Sequence, residues 1–121
     1  MIIPYVFVVD DYDSVRVGIV SRLEREQLRV RGFKTGESLI QALQNETPDM
    51  IVLDYQMPDM NGLETLRAVR KNFLFIPVVM LTAYQGTMDL KAVHELGVHC
   101  VLTKSVEFDE LIHVVKDMVG V

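Results

Sequence analysis

The chain reads as an α/β domain, a five-stranded parallel sheet with helices packed on both faces. Three observations carry that expectation. Apolar runs recur without polar alternation, as in strands covered on both sides. Helical apolar spacing fills the segments between them. Strand and helix alternate five times with no repeat, low-complexity tract or linker, and 121 residues make one domain, 1–121, either standing alone or as the N-terminal part of a longer protein.

The first strand is "YVFVV" (5–9), which runs straight into Asp10 and Asp11. Segment 14–26 follows as a helix, with Val15, Ile19 and Leu23 at near-helical spacing. "LRVRGF" (28–33) alternates Leu28 and Val30 with Arg29 and Arg31, so one face is partly wet and the strand belongs at a sheet edge. A helix over 37–45 leads to "MIVL" (50–53), and a helix over 62–71 leads to "VVML" (78–81). The helix over 87–96 is closed by Gly97 in a left-handed cap, and "CVL" (100–102) is the fifth strand. The final helix, 107–119, places Phe108, Leu111, Ile112, Val115 and Val119 on one face. Glu107, Asp109 and Glu110 sit in its first turn, at the positive end of the helix dipole.

The composition is 50% hydrophobic and 24% charged with a net charge of -5, the profile of a globular domain rather than of a chain that grips nucleic-acid phosphates. "MIIPYVFVVDD" is too short to span a bilayer and has no basic flank, so no export or membrane signal is expected. The single cysteine, Cys100, cannot form an intrachain disulfide, which favours a cytoplasmic location; it is expected as a packed thiol. His94, His99 and His113 share no ligand spacing and are assigned no chemistry.

In doubly wound sheets the site lies beyond the carboxyl ends of the strands. Asp10 and Asp11 stand there after strand one, Asp54 after strand three, Thr82 after strand four and Lys104 just past strand five. Asp10, Asp11 and Asp13 crowd three carboxylates into four positions, which disfavours their ionisation unless a positive charge is supplied. Mg²⁺ (or Mn²⁺) suits such hard oxygen ligands, with Asp11 and Asp54 as direct ligands, Asp10 acting through water, and Lys104 adding its ammonium. Asp13 reads instead as an N-cap or first-turn acid of the following helix. A carboxylate that shares a metal with an incoming phosphoryl group can attack it and form an acyl phosphate. Asp54, on the central strand, is the expected acceptor, with Thr82 and Lys104 holding phosphoryl oxygens.

The stretches "VVDDYDSVR" (8–16), "PDMIVLDYQMPDMNGLE" (48–64), "PVVMLTAY" (77–84) and "GVHCVLTKS" (97–105) resemble the receiver domain of two-component response regulators, over essentially the whole chain. The resemblance implies a flavodoxin-like (βα)5 fold with strand order 2-1-3-4-5. It implies phosphoryl transfer to Asp54 from the phosphohistidine of a sensor histidine kinase or histidine phosphotransfer protein. It implies Mg²⁺ held by Asp11, Asp54 and the Gln56 backbone carbonyl, with Asp10 assisting through water. Such a domain is a phosphoacceptor switch rather than an enzyme. Thr82 moves toward the phosphoryl oxygen, and the change reaches a homodimer partner or output domain through the helix 4, strand 5, helix 5 face.

Two positions depart from the family pattern. Val101 stands where the family usually has Tyr or Phe, so no aromatic rotamer switch exists there. Ser105 replaces the proline after Lys104, and a cis non-proline bond costs about 3 to 4 kcal/mol, so a trans bond is expected. Gln56 and Tyr84 are tuning positions in this family, and the bulk of Tyr84 predicts a long-lived phosphoryl group.

Two other readings compete. Intact acids and lysine with altered Val101 and Ser105 leave room for a pseudo-receiver that binds partners without phosphorylation. Asp11 and Asp13 also match the nucleophile motif of haloacid dehalogenase-type phosphatases, with Asp11 as nucleophile, but Asp54 then has no role. Val114 and Met118 lie off the main apolar face of the last helix and either cover a neighbouring helix or offer a partner surface.

Overall fold

The computed structural model describes residues 2–84, 86, 88–104 and 108–121. Its elements follow in the order β1 (Tyr5–Val9), α1 (Asp13–Arg25), β2 (Arg29–Phe33), α2 (Gly36–Leu43), β3 (Met50–Asp54), α3 (Gly62–Asn72), β4 (Val78–Thr82), α4 (Leu90–Glu95), β5 (Cys100–Thr103) and α5 (Asp109–Val119). All strand pairs are parallel, in the order β2-β1-β3-β4-β5. The expected sheet, its order and the edge position of β2 are thus present.

Side chains alternate across a strand, so each run of apolar residues divides between two layers. Phe7, Val9, Ile51, Leu53, Val78 and Met80 face one layer with Leu39, Leu43, Leu66, Val69 and Val93 from α2, α3 and α4. Val6, Val8, Met50, Val52, Val79 and Leu81 face the other, with Ile19 and Leu23 of α1 and Leu111, Ile112 and Val115 of α5. This is why β1, β3 and β4 carry no polar alternation: neither face meets water. Val114 and Met118 pack against the second layer, so they cover their neighbours as one reading expected. Edge strand β2 is mostly exposed, and its Arg31 pairs with Glu46 while Arg29 stacks over the Tyr5 ring at 3.9 Å.

Helix ends differ from expectation where local chemistry overrides apolar spacing. α1 begins at Asp13 after Tyr12, making Asp13 a first-turn acid rather than the cap. α4 is shorter than the 87–96 expected: the Asp89 side chain caps it by accepting from Ala92 N at 3.1 Å, and Gly97 (φ 75°) ends it as foreseen. Thr87 lies outside the described residues, as does Glu107. Phe108 adopts a left-handed conformation (φ 58°) and is the N-cap of α5 rather than part of its apolar face, though it still packs on that layer. Cys100 is only half-buried; burial pushes its thiol up from the ordinary value.

Arg70 on α3 was foreseen by no pattern. Its side chain is buried, yet it donates to main-chain carbonyls of Leu96 (2.7 Å), Ile76 (2.8 Å), Phe73 (3.0 Å) and Gly97 (3.3 Å). The guanidinium fork thereby satisfies the carbonyl ends of α3 and α4 at once, offsetting the desolvation that lowers its pKa.

Candidate functional site

Register brings the polar residues to one end of the sheet. Val9 lies beside Leu53, so Asp10 leaves the sheet level with Asp54; Thr82 pairs with Thr103, so Lys104 follows it across the edge. Backbone bonds fix the exits: Asp10 N to Phe33 O (3.1 Å), Tyr55 N to Leu81 O (2.8 Å) and Lys104 N to Thr82 O (2.7 Å). The chain after β3 is held by a capping box in which Asn61 and Glu64 each bond the other's backbone N–H, at 2.9 and 3.1 Å. Gly62 is needed there, because a Cβ would lie 2.6 Å from the carbonyl oxygen of Asp54 and 2.7 Å from Tyr55 Cα.

Asp10, Asp54 and Thr82 are completely buried. Asp10, Asp11 and Asp54 each bring one carboxylate oxygen within 4.8 Å of the others. Lys104 Nζ stands 2.9 Å from Asp10 Oδ2 and 3.1 Å from Asp54 Oδ1, so part of the missing counter-charge comes from this ammonium. Burial would lower the Lys104 pKa, but its hydrogen bonds and charge contacts with Asp10 and Asp54 outweigh that and hold it above the ordinary value. Burial first, and then the charge of Asp10, push Asp54 up to about 7 against the pull of Lys104.

The cluster remains short of positive charge. Asp11 Oδ1 and Asp54 Oδ2 are buried without a hydrogen-bond partner, while Asp10 Oδ2 has the Lys104 ammonium 2.9 Å away. Unpaired buried acceptors among three converging carboxylates fit a hard divalent cation. A cavity of about 480 Å³ opens beside them, lined by Asp11, Tyr12, Tyr55, Gln56, Pro58 and their neighbours. Asp13 takes no part: it is exposed and paired with Arg16 at 2.7 Å and Lys34 at 3.8 Å. The second acid of the phosphatase-like pattern is therefore engaged with Arg16 and Lys34 and does not line the cavity beside Asp11.

Gln56 is placed as a pocket residue, and its side chain does more than spacing could show. Its backbone N–H donates to Asp54 Oδ1 (3.2 Å), its Nε2 donates to Thr82 Oγ1 (2.7 Å), and its Oε1 accepts from Ala83 N (3.0 Å). Tyr55, next to the buried carboxylate, accepts at its hydroxyl from the backbone N–H of Asp89, the α4 cap, at 3.4 Å. The Tyr84 ring is 67% exposed and lies against Gly86, while its backbone bonds the Thr82 hydroxyl. Val101 packs, half-buried, against the α2–α4 layer. The bond between Lys104 and Ser105, expected to be trans, lies outside the described residues.

The response regulator receiver domain model matches residues 6–116. The chain is 30% identical over 111 residues to the DNA-binding transcriptional regulator NtrC of Proteus hauseri, covering 92% of this chain and 24% of that protein. It is 34% identical over 99 residues to the Bacillus subtilis alkaline phosphatase synthesis regulatory protein PhoP, covering 82% of this chain and 41% of that one. It thus spans less than half the length of these relatives. The solved response regulator TrrA of Thermotoga maritima, in complex with Mg(2+)-BeF, superposes with a TM-score of 0.87 at 27% identity, covering 96% of this chain and 99% of its own. No helix among the described residues is long and apolar enough to cross a membrane. With its strand order, its buried acids and this match over nearly the whole length, the chain belongs to the receiver domain family of two-component response regulators.

Proposed function

We propose that this domain is a Mg²⁺-dependent phosphoacceptor switch, with Asp54 as the acceptor of a phosphoryl group from the phosphohistidine of a sensor kinase or phosphotransfer protein. The observation that carries the reading is the Asp54 carboxylate itself, buried at the end of the central strand with one oxygen on Lys104 and the other unpartnered. In the transfer an Asp54 oxygen forms the new O–P bond while the donor's P–N bond breaks. Its electron pair stays on the imidazole nitrogen, which takes up a proton. Asp11 and Asp54, with the Gln56 carbonyl, would hold the cation, and Asp10 would assist through water; bound there, the ion neutralises charge on the phosphoryl oxygens. Lys104 lies where it can pair with the transferred group, and Thr82 can donate to it once its hydroxyl turns.

The domain assists its own modification and is not a turnover enzyme. The acyl phosphate is long-lived, and hydrolysis within seconds of removing the donor would sink that expectation. The change is read by a partner, output domain or second copy on the α4, β5 and α5 face, in the cytoplasm. Amide NMR with Mg²⁺ and beryllofluoride tests the reading: shifts around Asp54, Thr82 and Lys104 in the wild type, absent in Asp54→Asn, support it. No shift in the wild type would favour a phosphorylation-independent interaction module.

A further inference from the structure

We infer that the Gln56 carboxamide is a positioning latch that holds the Thr82 hydroxyl in its resting orientation and sets how readily the phosphorylated state forms. This deepens the reading of Asp54 as phosphoacceptor and rests on it. One carboxamide spans two consecutive residues at the end of β4: Nε2 donates to Thr82 Oγ1 at 2.7 Å, and Oε1 accepts from Ala83 N at 3.0 Å. The Thr82 hydroxyl donates to Tyr84 O at 3.2 Å and accepts from Tyr84 N at 3.2 Å. A hydroxyl has one proton and two lone pairs. All three are committed here, on a residue with no exposed surface.

Thr82 therefore has no proton to give a phosphoryl oxygen until it turns away from Tyr84 O. If the side chain answers by rotating about its Cα–Cβ bond, the oxygen also leaves Gln56 Nε2, and the carboxamide then opposes the change through the group that must move. The backbone N–H of Gln56 donates to Asp54 Oδ1 at 3.2 Å, so one residue touches both the acceptor and the hydroxyl that must answer it. A carboxamide suits the task because it offers a donor and an acceptor on one rigid plane; an apolar side chain of the same length offers neither.

Gln56→Met keeps the length, removes both bonds and leaves the backbone groups in place. The experiment titrates wild type, Gln56→Met, Thr82→Val and the double variant with beryllofluoride in excess Mg²⁺, following the Ala83 amide and the apparent affinity. Releasing one net hydrogen bond predicts roughly three- to tenfold tighter binding in Gln56→Met. In the Thr82→Val background the gain drops below about twofold, because no hydroxyl remains to be latched. A merely structural role would lower the melting temperature without tightening binding. Unchanged or weaker affinity in Gln56→Met, with the wild type binding normally, overturns the latch and leaves the phosphoacceptor reading intact. No binding by the wild type overturns both. Should Gln56→Met fail to fold, Gln56→Ala carries the same comparison.

Discussion

Lys104 reaches across the end of β4, the strand that separates β3 from β5, to set its ammonium 3.1 Å from the Asp54 carboxylate. That span makes one lysine the counter-ion of two acids at the ends of two other strands, since Asp10 lies 2.9 Å from the same nitrogen. Lys104→Met leaves two buried carboxylates without it. Loss of stability on the order of 3 kcal/mol is expected in metal-free buffer above pH 7, by urea denaturation. Added Mg²⁺ should restore a large part; a variant as stable as the wild type without metal would contradict this picture of the site.

Asp54 also predicts the pH dependence of the metal-free domain. Its pKa stands at about 7 in the folded chain, against the ordinary 3.8. Between those values the folded chain holds a proton that the unfolded chain has lost, so stability falls as pH rises through that window and levels off above it. The fall is at most on the order of 4 kcal/mol. Asp54→Asn should flatten it and be the more stable protein at pH 8 in EDTA. Parallel pH profiles for the two would refute the assignment.

Gly62→Ala places a methyl group 2.6 Å from the Asp54 carbonyl oxygen and 2.7 Å from Tyr55 Cα, both of them backbone. The start of α3 must shift, at a cost of roughly 1 to 3 kcal/mol. The end of β3 is disturbed with it, so weaker beryllofluoride binding should accompany the lower denaturation midpoint.

Arg70→Met strips four main-chain carbonyls of a charged donor inside the protein. Destabilisation of roughly 2 to 4 kcal/mol is expected by chemical denaturation. Arg70→Lys should recover little, because an ammonium presents its protons from one point and cannot address two helix ends at once.

What the sequence disclosed depended on the range of the interaction involved. The strands were legible because burial on both faces writes itself as an unbroken apolar run, and Asp10, Asp11, Asp54, Thr82 and Lys104 were legible because strand ends in a parallel sheet share an edge. The α4 start was not, because Asp89 capping competes with apolar spacing that continues on either side of it. Gln56 was placed at the pocket by resemblance, but its bonds to Thr82 and Ala83 join positions 26 and 27 residues away and leave no periodic trace. Arg70 was hidden for a related reason. Its partners are carbonyls, which every residue carries, so no side chain elsewhere in the chain announces them.

The Arg70 fork makes α4 a lever with a fixed fulcrum. Two of its four carbonyls, those of Leu96 and Gly97, close the carboxyl end of that helix, whereas at the opposite end, among the described residues, the Asp89 N–H reaches the Tyr55 hydroxyl at a longer 3.4 Å. A pull on the segment after Thr82 is therefore expected to tilt α4 about Leu96 and Gly97 instead of sliding it. Displacement would then grow toward Asp89 and be smallest at the fulcrum. A partner seated over the amino end of α4 would sense the whole stroke, and one seated near Gly97 would sense only a change of angle.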